Sequence, residues 1–209
     1  MNINIDIYRT IIFDFDGVIL DSNNIKKNAI KNATINHLYK KKIKEFVDYF
    51  TANNGIPREP KIRKYFPLNA NYENVLKNYE QEIEIELERA KLIPGVKIFI
   101  EKIYNMNKDL AILSGGKQSE VMELLSKHNL MHFFYLVMGG PKTKHENIKK
   151  NFIQSPVLYF GDSFIDYKIA IDNNFDFVFV SGYTNFKDWQ NTISTSNIIM
   201  EISDFSKII

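Results

Sequence analysis

The stretch Ile11-Ile12-Phe13-Asp14-Phe15-Asp16-Gly17-Val18-Ile19-Leu20-Asp21-Ser22 decides how the rest of the chain is read. It opens apolar on successive rather than alternate residues, as strands covered on both faces do. Two aspartates spaced by two then break the apolar run, and a glycine follows. Residues two apart on a strand share a face, and leaving the strand at Asp16-Gly17 turns both carboxylates into the crevice beyond its C-terminal end. In open α/β sheets that crevice is where ligands bind. A solvated turn would explain an isolated Asp-x-Asp, but not an aspartate set directly behind a strand that ought to be buried.

Similar apolar runs recur at residues 110–113, 134–138, 157–160 and 175–180. Between them Val96, Phe99, Ile100 and Ile103, and again Val121, Leu124 and Leu125, fall on single helical faces. Strands alternating with helices predict an α/β fold, a Rossmann-like parallel sheet core with right-handed crossovers. Residues 22–92 interrupt this rhythm with two or three helical stretches and no convincing strand. Ile43, Phe46, Val47 and Phe50 form one amphipathic face there, and Val75, Leu76, Tyr79, Ile83, Leu87 and Ala90 a longer one. The turn-rich residues 53–60 predict a loop or helix junction between the two. The expected organisation is a core of residues 1–21 and 93–209 interrupted by an α-helical cap of residues 22–92, with connections near Ser22 and Pro94-Gly95. The first eight residues read either as an extension of the first strand or as a separate edge strand.

Composition narrows the chemistry. The 209 residues carry 27 Lys and Arg against 25 Asp and Glu, a net charge of +2 that gives no electrostatic case for nucleic acid or an anionic membrane as main partner. The longest apolar run, residues 133–138, falls far short of the roughly 20 residues a membrane helix needs. The N-terminal Met-Asn-Ile-Asn-Ile-Asp lacks the basic start and apolar stretch of a secretory signal, so a cytoplasmic protein is expected. The absence of cysteine excludes disulfides, thiol nucleophiles and sulfur-ligated metals. His37, His128, His132 and His145 fit no ligand pattern and read as surface or packing residues; Trp189 and the many Tyr and Phe residues read as packing.

Two more strand ends are polar. Residues 157–160 run into Gly161-Asp162-Ser163-Phe164-Ile165-Asp166, whose two carboxylates would share a face if a helix begins there. Ala111-Ile112-Leu113 ends in Ser114-Gly115-Gly116, a hydroxyl followed by backbone N–H groups that can approach an oxyanion closely. If these strands are neighbours, four carboxylates converge. A single pair about 5 Å apart repels by roughly 3 kcal/mol at an effective dielectric of about 20. A hard divalent cation would relieve this, and with oxygen donors alone Mg²⁺ is the natural choice.

These residues resemble the haloacid dehalogenase-like superfamily of aspartate-nucleophile phosphohydrolases, over nearly the whole chain. The resemblance implies that Asp14 is a nucleophile forming an aspartyl phosphate. It implies that Asp16 is the acid that protonates the leaving alcohol and then the base that activates water, its pKa raised by the neighbouring carboxylates. Ser114, with Gly115 and Gly116, matches the phosphate-binding second motif. Asp162 and Asp166 match the fourth motif, so Mg²⁺ would sit on Asp14, the Asp16 carbonyl and Asp162, with Asp166 in support. Leu92-Ile93-Pro94-Gly95-Val96 looks like the return from a helical cap. For the third-motif lysine, Gly139-Gly140-Pro141-Lys142-Thr143-Lys144 offers two, and Lys144 is preferred over Lys142.

A phosphatase acting on a small phosphorylated metabolite, most plausibly a sugar phosphate, is therefore expected, as a monomer or homodimer. A β-phosphoglucomutase-like mutase is the alternative, but the Gly-Asp-Ser-x-x-Asp form of the fourth motif resembles the phosphatases. A dehalogenase would do without Asp16; a receiver-like domain would lack the helical insertion; intact motifs give no support to a noncatalytic metal-binding protein. Substrate choice should lie in the cap, where Arg58, Lys61, Arg63 and Lys64 cluster. Either they are a solvated basic helix, or the segment from Gly55 to Arg58 reaches the site and binds a hydroxylated or anionic leaving group.

Overall fold

The computed structural model describes residues 3–66, 70–194 and 197–208. Six strands form its centre: β1 (Thr10–Phe13), β2 (Asp109–Lys117), β3 (Leu136–Gly140), β4 (Val157–Gly161), β5 (Asp176–Val180) and β6 (Met200–Ile202). They pair in parallel throughout, in the order β3-β2-β1-β4-β5-β6. β1 is buried along its length, with Ile11 and Phe13 in one apolar layer and Ile12 in the other. This two-sided burial is why the run is apolar at every position. Phe13 anchors its layer by stacking on Phe160 at 5.2 Å between ring centroids and meeting the edges of Phe99 and Phe134. The chain builds outward from β1 to β3 on one side, then returns to lay β4, β5 and β6 on the other. A crevice therefore opens where β1 and β4 end.

Between β1 and β2 the chain inserts four helices, α1 (Asn23–Thr34), α2 (Lys40–Ala52), α3 (Arg58–Tyr65) and α4 (Ala70–Leu87), before α5 (Val96–Asn105) returns to the sheet. They bury Ile30, Phe46, Phe50, Ile62, Val75 and Tyr79 in an apolar cluster continuous with the sheet layer of Ile11 and Phe13. The two connections run side by side: Asp21 N–H donates to the Lys91 carbonyl and Ile93 N–H to the Ile19 carbonyl, both at 2.9 Å. Gly95, at φ +77°, sits so close to the C-terminal tail that a Cβ there would lie 2.5 Å from the Phe205 carbonyl carbon. After β2 come α6 (Gln118–Lys127), then α7 (Lys144–Lys150), α8 (Phe164–Asp172) and α9 (Trp189–Thr192), each following one of the strands β3, β4 and β5.

The architecture agrees with the α/β expectation but differs in detail. Residues 5–7 form a 3-10 turn rather than strand, because the Asn4 side chain accepts from the Asp6 N–H and holds the backbone in a turn. β1 stops at Phe13, before Asp14 and Phe15. The edge strand β6 joins the sheet, and the described residues of the segment 22–92 hold four helices instead of two or three. Residues 58–60, read as part of a loop, begin α3; Pro60 is tolerated in the first turn of a helix, where its missing N–H has no partner to lose. Among the described residues no helix is long and apolar enough to cross a membrane.

Candidate active site

The end of β1 delivers Asp14, the end of β4 delivers Asp162, and β2 carries Ser114; all three are buried. Asp14 accepts from the Phe15 N–H at 2.7 Å, which fixes its carboxylate as the chain turns. Gly17, at φ +78°, keeps that turn tight, and a Cβ on it would lie 2.4 Å from the Asp162 carboxylate. Only a residue without a side chain allows the loop after β1 to approach β4 so closely.

Lys144 opens α7, held there by a capping box in which Thr143 and Glu146 satisfy each other's backbone N–H groups. Its ammonium is fully buried, 2.8 Å from Asp14 and 2.5 Å from Asp166. Burial alone would lower its pKa, and the two carboxylates more than reverse that. Lys142 is exposed. Asp166 is the third residue of α8 and closes a second capping box with Ser163. One of its oxygens accepts from Ser163 N–H and Oγ, the other from Lys144 and the Tyr159 hydroxyl. Four donors therefore saturate Asp166, which ties Lys144, Tyr159 and Ser163 together. Asp162 lies just before that helix, not on a helical face shared with Asp166.

Carboxylate oxygens of Asp14, Asp162 and Asp166 lie within 4.8 Å of one another. Asp162 accepts from Asn23 Nδ2 through Oδ2 at 2.7 Å, while its buried Oδ1 has no donor. Burial, then the charge of Asp166, opposed by Lys144, pushes Asp14 up to about 8. Burial and the charges of Asp14 and Asp166 push Asp162 well above the carboxylate range. An orphaned oxygen among crowded carboxylates fits a hard divalent cation, and the donors are all oxygen.

Asp16 departs from expectation. Its carboxylate accepts from Ser22 Oγ at 2.5 Å and Lys26 Nζ at 2.6 Å. Burial raises its pKa, but Lys26 and the Ser22 hydroxyl outweigh burial and hold it below the usual range. Lys26, one turn into α1, is the main charge that holds it down. Ser114 Oγ accepts from Gly116 N–H at 2.9 Å, which leaves the hydroxyl proton free to donate. Gly115 and Gly116 line the same cavity, with a Gly115 Cβ position only 2.6 Å from the Gly55 backbone across the cleft.

Arg58 also lines the cavity, but its guanidinium is buried against Glu120 of α6, whose two carboxylate oxygens both accept from Nη2, at 2.7 and 2.8 Å. Lys61 lies beside it, buried, whereas Arg63 and Lys64 are exposed. The solvated reading of this helix thus holds for the second pair and fails for the first. Asn23, Lys26, Tyr159 and Glu120 were not singled out in the sequence. Tyr159 had a signal, as the one polar side chain in β4, and Lys26 follows Ser22 by one helical turn.

Fold and site together define an α/β protein that gathers three buried carboxylates and a buried lysine where its central strands end. Residues 11–180 match the family model of the haloacid dehalogenase-like hydrolases, and the chain belongs to that family. It is 24% identical over 195 residues to a phosphoglycolate phosphatase of Rhodobacter capsulatus, covering 83% of this chain and 84% of the relative. It is similar in fold to a predicted phosphoglycolate phosphatase from Haemophilus somnus, with TM-score 0.73, 18% identity and 96% of each chain covered. A candidate β-phosphoglucomutase from Thermotoga maritima gives TM-score 0.66 at 17% identity, again over 96% of each chain.

Proposed function

We propose that this enzyme is a Mg²⁺-dependent phosphatase that hydrolyses a small phosphorylated metabolite through a phospho-intermediate on Asp14, beneath a cap formed by residues 22–92. The observation that carries this reading is the pairing of Asp14 with the buried Lys144 at 2.8 Å, beside the donorless Asp162 Oδ1. Asp14, Asp162 and the Asp16 carbonyl would hold the metal, with Asp166 bracing Lys144. Bound there, Mg²⁺ supplies positive charge against the repulsion between a carboxylate and a phosphate dianion.

Asp14 attacks phosphorus and the bond to the leaving oxygen breaks, while Lys144 offsets charge on the equatorial oxygens. The Ser114 hydroxyl, held by the Gly116 N–H, and the Gly115 N–H donate to the same oxygens. Asp16 gives its proton to the leaving alcohol, then takes one from the water that cleaves the acyl phosphate. A positioned acid or base of this kind contributes on the order of 10²- to 10⁴-fold. Phosphate release from a panel of phosphosugars, short phospho-acids and nucleotides tests the reading. Turnover with Mg²⁺ and none in EDTA is expected, with Asp14→Asn slower by on the order of 10³-fold or more. No release from any ester, or an active Asp14→Asn enzyme, overturns it. A sugar bisphosphate that primed isomerisation faster than phosphate release would favour a mutase.

A further inference from the structure

Three cations line the closed cavity beside Asp14 and Asp16, and two of them have carboxylate partners. Arg58 has Glu120, and Lys26 has Asp16 at 2.6 Å with Glu120 at 3.8 Å. Lys61 has neither. Its side chain is only 5% exposed. Its Nζ lies 3.3 Å from the Phe50 carbonyl oxygen and 3.7 Å from the centre of the Phe50 ring. Among the described residues no carboxylate lies within ion-pair distance of it. Burial, with Lys26 alongside, pushes its ammonium down to about 7, against the weaker opposite pull of Asp16. A buried cation without a counter-ion is unfavourable, and an apolar side chain of the same length would fill this space without that cost.

Taking the phosphatase reading as its basis, we propose that Lys61 is the specificity-determining residue of this site. Its ammonium receives a carboxylate on the leaving group, which makes the substrates short phosphorylated hydroxy-acids. Three observations converge on this. Asp14 follows β1, Ser114 lies in β2 and Lys144 opens α7, so the phosphoryl end of a substrate is fixed at the strand ends and its other end faces the helices that carry Lys61. The closed cavity measures about 30 Å³, room for about two water molecules, so a short leaving group demands the least opening. A sugar phosphate, neutral on its leaving side, would leave Lys61 buried without a counter-ion. A carboxylate pairs it.

The test compares 2-phosphoglycolate with 2-hydroxyethyl phosphate, which differ in replacing the carboxylate by a neutral alcohol. The wild type is expected to favour the acid in kcat/KM by at least about tenfold, and Lys61→Met to bring that ratio to near one, with Lys61→Arg restoring part of it. A wild-type ratio near one, or a ratio unchanged in Lys61→Met, overturns the proposal. If neither ester is cleaved and para-nitrophenyl phosphate is not cleaved either, the phosphatase reading fails instead. Calorimetric binding of 2-phosphoglycolate to Asp14→Asn protein then decides the role of Lys61. A Kd weakened at least tenfold by adding Lys61→Met supports it, and an unchanged Kd or no binding overturns it.

Discussion

Replacing Lys144 by Met keeps the length of the side chain and removes its charge from between Asp14 and Asp166, 2.8 and 2.5 Å away. Burial and mutual repulsion raise the Asp14 carboxyl, the lysine charge opposes that, and the variant leaves the cluster without it. Tyr159 and Ser163 continue to donate to Asp166 and recover part of the cost. The expected loss is about 3 kcal/mol, at the lower edge of the range for breaking a buried pair. Urea denaturation in EDTA at pH 7 reads it, together with a Tm lower by about 6–12 °C. Lys142→Met, at an exposed position, should stay within about 0.5 kcal/mol. A loss for Lys144→Met below about 1 kcal/mol at pH 7, or an equal loss for Lys142→Met, would refute this account of the site.

Two further perturbations address the metal and the acid. Mg²⁺ at a hundred times its Kd should stabilise the wild type by about 2.7 kcal/mol, or about 5–11 °C in Tm. Asp162→Asn, which removes the orphaned oxygen, should lose that increment while remaining at least as stable as wild type in EDTA; a retained Mg²⁺ increment removes Asp162 as a ligand. Lys26→Met frees the Asp16 carboxyl from the ammonium that holds its pKa down. Since Asp16 must be protonated to donate, the high-pH fall of kcat/KM should move up by on the order of one pH unit or more. A lower kcat/KM with an unmoved limb would mean that Lys26 acts on substrate alone.

What was legible in the sequence follows from burial. β1, β4 and β5 are covered on both faces and appear as apolar runs, and Asp14, Asp162 and Ser114 stand out because each follows such a run directly. β6 has three residues, one of them the exposed Glu201, and an edge strand this short leaves no apolar run. Pro60 suggested a break where it begins a helix, since the same fixed φ serves both. Lys144 was separable from Lys142 only by the family resemblance, until the fold buried one and exposed the other. The partners that set the charge state of the site were not legible. Lys26, Glu120 and Tyr159 reach it from three different elements, and local spacing carries no record of tertiary contacts. The expected rise of the Asp16 pKa is reversed for that reason: sequence neighbours suggested repulsion between carboxylates, and a lysine from α1 supplies attraction.

The closed site satisfies its charges in a way that excludes a substrate. Gly55 and Gly115 touch backbone to backbone across the cleft, and the Arg58–Glu120 and Lys26–Asp16 pairs tie the helical segment to the sheet. An incoming phosphate ester has to separate these contacts, and its anionic groups then offer Lys26, Arg58 and Lys61 the charges that Asp16 and Glu120 provided in part. On the proposed reading this exchange also sets the timing of the chemistry. While Lys26 holds Asp16, the carboxylate is ionised and has no proton to give. Once substrate draws Lys26 away, burial is the dominant influence remaining on Asp16, and it favours the protonated form. The acid would thus be charged with its proton only when a leaving group is present to receive it, and an empty site would keep Asp16 ionised.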